Sequence, residues 1–553
     1  MTSLTQQPSL TRRSLLGAGL GAIGLTALAA CTATAPADGV RPAPDVPDAT
    51  DAPDSSFVRP ESADVDRPGY HLTPPSHWMN DPQRPLLLGG LWHLWYLHNT
   101  DHPHGNGTEW RLATSPDLVT WRDGGTSIRK YVDALGDVES GSAVVDTEGV
   151  AGLGAGAVLA FATQQADGVQ RQSLYVSHDL GRTFTPAPGN PTIDNPGTPQ
   201  SRDFRDPKVI RDEAHDQWVM LLAEGHRIGF YTSTDLRTWA YRSDWSVDDL
   251  GTLECPDLFE LELDGDPSRR TWVLLASANG ESQGRTTGVA HWTGVWDGTR
   301  FTGDGASARW LDHGPDFYAA VTWAPDDTDR PTARWCLGWL DNWAYAMARR
   351  GSSFAGGAQS VVRRVELVTG PGGVPQLVSA PLDALDAVTG PRVPLSGMPS
   401  GPSASPARVA GTHRFERPTP SDSLRLDLDI ESGAPYRLRL LDRGAASATV
   451  TVEPADLRVA VDRASGSPAT GVLGPTWTAR HVGDLAPQAR PGLRTRMSLL
   501  IDRGTLECFV DGGAVCLSAA SGLGEVVAIE LEADGSALVH SATAAPIRTV
   551  QLD

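Results

Sequence analysis

The chain has 553 residues, of which 40% are hydrophobic, so it is long enough for two domains with full cores. Its formal net charge of −21 argues against nucleic acid as a partner, because phosphates attract basic surfaces. Short Val, Leu, Trp and Tyr runs alternate with Gly, Pro, Asp and Asn clusters, which predicts an all-β fold.

The N-terminus carries an export signal. The sequence TRRSLL at 11–16 is a twin-arginine pattern, and an apolar stretch rich in Gly and Ala follows it. The stretch ends in LAAC, which predicts a lipoprotein signal peptide over residues 1–31 with Cys31 as the lipidated residue. A plain signal peptide cut near Ala30 is the alternative. Either way the protein is exported, and lipidation would hold it on the outer face of the bacterial cell membrane.

Residues 32–65 are rich in Pro, Asp and Ala and predict a flexible tether. A repeat follows, in which Ser-x-Asp-Leu occurs at Ser115, Ser177 and Ser233 and an aromatic residue comes soon after each copy. Each copy predicts a tight turn whose side-chain oxygens accept local backbone N–H groups. A related hairpin lies at 292–298. This period predicts propeller blades, five in all, over residues 66–370.

The chain becomes Gly- and Pro-rich over residues 371–407, where we predict a linker between domains. Strands with alternating apolar and polar residues, such as LRLDLDI at 424–430, then predict a C-terminal β-sandwich over 408–553. A three-residue hairpin loop centred on Gly512 would place Cys508 opposite Cys516. A disulfide between them is then possible, and two buried free thiols are the alternative.

Three short motifs set a carboxylate beside a proline: WMNDP at 78–82, FRDP at 204–207 and ECPD at 254–257. Retaining cleavage of a glycosidic bond needs two carboxylates about 5–5.5 Å apart, one as nucleophile and one as acid/base. A third polar group can anchor sugar hydroxyls. The motifs therefore fit a glycosidase, and the alternative is that they are turns on a non-catalytic propeller.

In this order the motifs resemble glycoside hydrolase family 32, the fructan hydrolases and fructosyltransferases. The resemblance also includes YHLTPPSH at 70–77, ESGSAVVD at 139–146, DFYAA at 316–320 and LLIDRGTLECFVDGG at 499–513. It implies a five-bladed β-propeller followed by a β-sandwich. It further implies that Asp81 is the nucleophile, that Glu254 is the acid/base, and that Asp206 holds sugar hydroxyls.

Several residues near these motifs are candidate substrate contacts, although ordinary packing is an alternative for the aromatic ones. They are Trp78, Asn80, Trp110, Ser140, Arg205, Asp316, Tyr318 and Trp343. Asn80 is also expected to donate a hydrogen bond to Asp81. No His or Asp cluster has metal-ligand spacing, and no nucleotide-binding pattern occurs, so we expect neither a metal nor a cofactor.

The sequence departs from the usual family pattern at three points in the expected pocket. Gln83-Arg84 replaces Asn-Gly, Leu97 stands where a glutamine is common, and Glu139 replaces an aromatic residue. The sequence around these positions resembles the levan-acting bacterial branch of the family. The leading hypothesis is therefore a retaining hydrolase of β-2,6-fructan. A levan fructotransferase that releases a cyclic difructose is the close alternative. A surface protein that binds fructan without cleaving it is the remote one.

Overall fold

The computed structural model describes most of the chain after residue 66. The described residues are 67–102, 107–197, 203–305, 307–325, 332–348, 354–399, 405–416, 421, 423–444, 446–465, 470–487 and 492–550. The predicted signal peptide, Cys31 and the predicted tether lie outside them. Among the described residues, no helix is long and apolar enough to cross a membrane.

Five antiparallel sheets of four main strands form a β-propeller, as predicted. Blade 1 contains His77–Pro82, Leu91–Asn99, Glu109–Ser115 and Arg122–Ile128; blade 2 contains Asp137–Asp146, Ala157–Ala166, Val169–Ser177 and Thr185–Pro186; blade 3 contains Arg205–Asp212, Gln217–Ala223, Arg227–Ser233 and Ala240–Ser246; blade 4 contains Leu253–Glu262, Arg270–Ala278, Gly288–Trp296 and Phe301–Gly303; blade 5 contains Tyr318–Trp323, Arg334–Trp339, Arg363–Thr369 and Pro375–Pro381.

Three short strands extend these sheets: Leu86–Leu88 and Phe354–Gly356 in blade 1, and Arg309–Trp310 in blade 4. The 3-10 helices of the described residues are Glu213–His215, Glu281–Gln283, Ala346–Ala348, Pro371–Gly373 and Asp383–Ala387. Apolar side chains of neighbouring blades pack face to face, as where Val219 of blade 3 joins a cluster with Leu274 of blade 4.

The repeated Ser-x-Asp-Leu segments are the turns that the sequence predicts. Each serine ends the third strand of its blade, and in blade 1 the Ser115 hydroxyl accepts the N–H of Leu118 at 2.7 Å. The Asp117 carboxylate accepts two further N–H groups of the turn. The leucine of each copy has a left-handed backbone, with φ of 64°, 63° and 56° at Leu118, Leu180 and Leu236. The side-chain hydrogen bonds hold a conformation that leucine otherwise avoids.

The propeller ends at Pro381, so the predicted boundary at 370 is wrong. The Gly/Pro-rich tract that suggested a linker is the hairpin turn of blade 5, which pairs Thr369 with Pro375. Gly372 and Gly373 supply the positive φ that the turn requires, 70° and 81°. The same residue types mark turns and linkers, and only the strand pairing distinguishes them. The connection between the domains runs from Pro381 to the first sandwich strand, Val393–Pro394.

The C-terminal domain is a β-sandwich, as predicted, and its two layers are joined by one long strand, Val526–Pro546. The first part of this strand pairs with Tyr436–Asp442 and the last part with Leu424–Ser432. The domain comprises the strands Val393–Pro394, Ala407–Glu416, Leu424–Ser432, Tyr436–Asp442, Ser447–Glu453, Arg458–Ser465, His481–Asp484, Leu493–Asp502, Thr505–Val510, Val515–Ala520 and Val526–Pro546, and the helix Thr470–Trp477.

The two hairpin cysteines are free and lie on opposite faces of the sheet. Val510 pairs with Val515, so the loop has four residues and not the three that would align the cysteines. Cys508 therefore faces Leu517, within the sandwich core, and Cys516 faces Phe509, within the cluster beside the propeller. A shift of one residue moves a side chain to the other face, which excludes the cross-strand disulfide.

A buried charged network joins the two domains. His71 of the propeller contacts Asp502 Oδ2 at 3.0 Å and Glu507 Oε1 at 2.9 Å, and both carboxylates belong to the sandwich. Arg363 also pairs with Glu507, and its other nitrogen pairs with Asp312 at 2.9 Å. These side chains are fully buried, and the carboxylates raise the pKa of His71 to about 9 against the lowering effect of burial. The network fixes how the sandwich packs against the propeller.

Candidate active site

The first strands of all five blades carry a β-bulge, and the bulges bring the predicted motifs together. Each bulge interrupts the ladder and re-aims side chains. The interruptions fall between Met79 and Pro82, Val138 and Gly141, Arg205 and Lys208, Glu254 and Asp257, and Tyr318 and Val321. Each blade thereby contributes one group to a shared site. These groups are Asp81, Ser140, Asp206, Glu254 and Tyr318.

Asp81 is buried and receives three hydrogen bonds. Ser140 Oγ donates to Oδ2 at 2.6 Å, Asn80 Nδ2 donates to Oδ1 at 3.1 Å, and the Cys255 thiol lies 3.6 Å from Oδ2. Burial raises the pKa of Asp81 to about 6, assisted by the charge of Glu254, while these three donors oppose the rise. The predicted donation from Asn80 is confirmed. Asp81 is thus an anion near neutral pH with its lone pairs oriented by donors.

Asp206 lies beside Asp81, and hydrogen bonds that involve backbone N–H groups hold it in place. Its Oδ2 accepts the Cys255 N–H at 2.9 Å, and its own N–H donates to Thr163 Oγ1 at 2.9 Å. Burial raises the pKa of Asp206 to about 7; Arg205 opposes this, and the charges of Glu254 and Asp81 add to it. The side-chain oxygens of Asp206 and Asp81 are acceptors, so the pair suits a ligand that carries hydroxyl donors.

Both oxygens of Glu254 are engaged by donors. Arg205 approaches Oε1 through Nε at 3.2 Å and Nη2 at 3.0 Å, and the Tyr318 hydroxyl donates to Oε2 at 2.5 Å. Glu254 is more exposed than Asp81 and Asp206. Burial and the Glu254 charge raise the pKa of Tyr318 well above its usual value, so the phenol keeps its proton. Glu254 is therefore a carboxyl group of fixed orientation with access to solvent.

Aromatic side chains form one wall of the site. Trp78 stacks on His102 at 5.7 Å between centroids and contacts Trp339 and Trp343. Trp343 is partly exposed, whereas Trp78 and Trp339 are buried. This cluster also contains Cys255 and Tyr318, which places the aromatic wall directly beside the carboxylates.

Two predicted substrate contacts lie elsewhere, and these predictions were wrong. Trp110 is fully buried between blades, with its Nε1 donating to the Glu139 carbonyl at 2.9 Å. Asp316 is fully buried and accepts from Arg463 Nη1 at 2.5 Å and from the Ala520 N–H at 2.6 Å. It therefore joins the propeller to the sandwich. Trp110 lies on the third strand of blade 1, away from the bulges, and Asp316 precedes the first strand of blade 5.

Sequence reasoning missed the residues that support the carboxylates from neighbouring strands. Gln83 accepts the Gly141 N–H at 2.7 Å and donates to the Asp81 carbonyl at 3.1 Å, so it joins the bulges of blades 1 and 2. Its place among the departures from the usual pattern was the available signal. Cys255 also contacts both Asp81 and Asp206 through its thiol.

Residues 71–381 match the glycosyl hydrolases family 32 N-terminal domain, and residues 402–541 match the glycosyl hydrolases family 32 C-terminal domain. The chain belongs to glycoside hydrolase family 32. It is 37% identical to a levanbiose-producing levanase of Bacillus subtilis over 82% of this chain and 85% of that protein. It is 43% identical to a levanbiose-producing levanase of Geobacillus stearothermophilus over 56% of this chain and 78% of that protein.

Solved structures share the fold. A β-fructofuranosidase of Schwanniomyces occidentalis superposes with a TM-score of 0.76 at 22% identity, covering 87% of this chain and 98% of that one. The exo-inulinase of Aspergillus awamori superposes with a TM-score of 0.76 at 24% identity, covering 88% of this chain and 100% of that one. The predicted family and fold are confirmed. With the levanase relatives, family membership makes the chain a fructan-hydrolysing glycoside hydrolase.

Proposed function

We propose that this glycosidase cleaves β-2,6-linked fructan (levan) by double displacement with retention of configuration. The observation that carries the proposal is the different support of the two carboxyl groups. Asp81 is buried against three hydrogen-bond donors, which suits a nucleophile. Glu254 is held from both sides by Arg205 and Tyr318 and is partly exposed, which suits an acid/base.

In the first step an Asp81 oxygen attacks the anomeric carbon, while the Glu254 proton passes to the leaving glycosidic oxygen. The bond between that carbon and oxygen breaks, and a fructosyl ester of Asp81 forms. In the second step Glu254 removes a proton from water, the water oxygen attacks the same carbon, and Asp81 leaves as a carboxylate. Asp206 accepts hydrogen bonds from sugar hydroxyls throughout, since it shares the Cys255 thiol with Asp81 and so lies beside the reacting carbon.

Levan as the substrate is supported by the relatives, two of which are levanbiose-producing levanases. The departures from the usual family pattern at Gln83 and Glu139 lie beside the site, in contact with its supports. A disaccharide product would follow if two fructosyl units occupied the site before cleavage.

The test is incubation of the enzyme with levan, inulin and sucrose, with and without methanol as a competing acceptor, followed by product separation. Fructose or levanbiose from levan, and methyl β-fructofuranoside in methanol, are expected. The α-anomer would refute retention, and a cyclic difructose would move the assignment to a fructotransferase. Activity should disappear in Asp81→Asn and Glu254→Gln. If the wild-type enzyme formed no product from any substrate, the non-catalytic interpretation would stand.

We also propose that the enzyme is exported by the twin-arginine route and anchored through a lipid on Cys31. The leader sequence supports this, and relatives include extracellular exo-inulinases. Cys31→Ser should move the protein from the membrane fraction to the medium. Membrane retention of that variant would refute the lipid anchor, and unchanged export of a variant with both Arg12 and Arg13 replaced by Lys would refute the route.

A further inference from the structure

A fourth carboxyl group lies beside the three motif carboxylates and takes no part in the double displacement. Glu139 precedes Ser140 on the first strand of blade 2 and is 5% exposed. Its Oε2 accepts a hydrogen bond from Gln170 Nε2 at 3.0 Å. Because burying a carboxyl group is costly without a partner, this single hydrogen bond determines what Glu139 can do.

Glu139 fixes the orientation of the Gln170 amide. Gln170 is fully buried, and its Oε1 accepts the Phe204 N–H at 3.0 Å and Arg205 Nη1 at 3.4 Å. The opposite end of the amide donates to Glu139. If the amide rotated by half a turn, its NH₂ group would face two donors and its oxygen would face the Glu139 oxygen. The acceptor on Glu139 therefore keeps the Gln170 oxygen directed at Arg205.

Arg205 transmits this orientation to Glu254. Its Nη1 is held by Gln170 and by Asp203 at 2.6 Å, which leaves Nε and Nη2 for Glu254 Oε1. Because the guanidinium group is planar and rigid, anchoring one nitrogen fixes the directions of the others. The chain of contacts runs from Glu139 through Gln170 and Arg205 to Glu254 without a gap.

We propose that Glu139 is a positioning residue that acts through Gln170 and Arg205 to aim the acid/base Glu254, an inference that rests on the proposed function. Burial first, and then the negative charges of Asp137, Asp206 and Glu254, raise the pKa of Glu139 well above its usual value, while Arg205 opposes them. The Gln170 amide requires one acceptor oxygen from position 139, and the side-chain oxygen of a glutamine there can supply it as well.

The test compares Glu139→Leu with Glu139→Gln on two substrates. Levan has a poor leaving group and needs the acid/base in both steps. A fructosyl fluoride donor with azide as the acceptor needs little protonation of the leaving group and no base. Glu139→Leu should lower kcat on levan by about tenfold, the effect of one lost buried hydrogen bond, with KM within about twofold. It should retain activity on the fluoride with azide, which also shows that the variant is folded.

Glu139→Gln should restore kcat on levan to within about twofold of wild type, since Gln supplies the same acceptor. Gln170→Leu should reproduce the Glu139→Leu result. The double variant should be no slower than either single variant, because the residues act in one chain of contacts. Equal losses on levan and on the fluoride, or additive losses in the double variant, would overturn the inference.

Glu254→Gln separates this inference from the proposed function. It should lose activity on levan while the fluoride with azide still reacts. If Glu254→Gln lost both activities equally, the acid/base assignment would be wrong and the positioning role would fall with it. If Glu254→Gln were selective and Glu139→Leu were not, the acid/base assignment would stand and only the positioning role would be refuted.

Discussion

Removing the hydroxyl group of Ser140 should move the acid limb of the pH–activity profile. Among the donors that lower the pKa of Asp81, the Ser140 hydrogen bond at 2.6 Å has the largest effect, and the pKa with it in place is about 6. A hydrogen bond to a charged group contributes about 1.5–3 kcal/mol, and one pKa unit corresponds to about 1.4 kcal/mol. Ser140→Ala should therefore raise the pKa of Asp81 by about one to two units.

The sign follows from the role of Asp81, which must be ionised to attack. In the wild type, kcat/KM for levan should fall as the pH drops through about 6, and in Ser140→Ala through about 7 to 8. Near pH 6 the variant should be slower by about tenfold, and the deficit should shrink as the pH rises. Initial rates on levan across the pH range measure both profiles.

Ser142→Ala is the matched control, because this hydroxyl lies on the same strand and bonds only to the main chain of blade 3, at Pro207 and Val209. It should leave the position of the acid limb unchanged. Equal limbs in Ser140→Ala and the wild type would refute the account of Asp81. A deficit in Ser140→Ala that stayed constant at every pH would refute it as well.

Three other predictions concern the supports of the site and the core. Tyr318→Phe should lower kcat/KM on levan by about tenfold, because Glu254 loses a donor, and steady-state kinetics would show it. His71 has a folded pKa of about 9 against 6.5 unfolded, so its salt bridges to Asp502 and Glu507 stabilise fully below about pH 6.5 and weaken as the pH rises through 9. The difference in Tm between wild type and His71→Gln should shrink over that range, and a constant difference would contradict it. In a variant that lacks residues 1–31, a thiol reagent should react only after denaturation, with four cysteines: Cys255, Cys336, Cys508 and Cys516.

Much of the fold could be predicted because it depends on local patterns. The Ser-x-Asp-Leu turns are encoded by side chains that bond to their own backbone, so a short window of sequence contains the whole interaction. The end of blade 5 and the pairing of Cys508 were wrong for the opposite reason. Both depend on the register between strands, which a loop one residue longer changes entirely.

The residues of the site also divide into those that local sequence predicts and those that depend on strand packing. The three carboxylates could be predicted from their motifs, whereas Gln170 could not, because it lies on the third strand of blade 2 and carries no local signature. It reaches the site only because that strand lies close to the first strand of blade 3. Trp110 and Asp316 were placed wrongly because the sequence shows neither the packing of blade 1 on blade 2 that buries Trp110 nor the ion pair with Arg463 of the sandwich that holds Asp316.

The bulges explain why the motifs have the form that they have. In a regular strand neighbouring side chains point to opposite faces, yet Arg205 and Asp206, like Glu254 and Cys255, all reach the site. The left-handed backbone at Asp206 and Cys255, with φ of 61° and 46°, makes this possible.

A bulge interrupts the ladder, and a proline there costs no hydrogen bond because its missing N–H has no partner to satisfy. Pro207 and Pro256 lie in such gaps, and Pro82 ends one. Blade 2 has Gly141 in the equivalent place, where an added Cβ would lie 1.9 Å from the Phe161 carbonyl oxygen. The proline near each carboxylate thus indicates a bulge in the sequence. The bulge directs the carboxylate into the site.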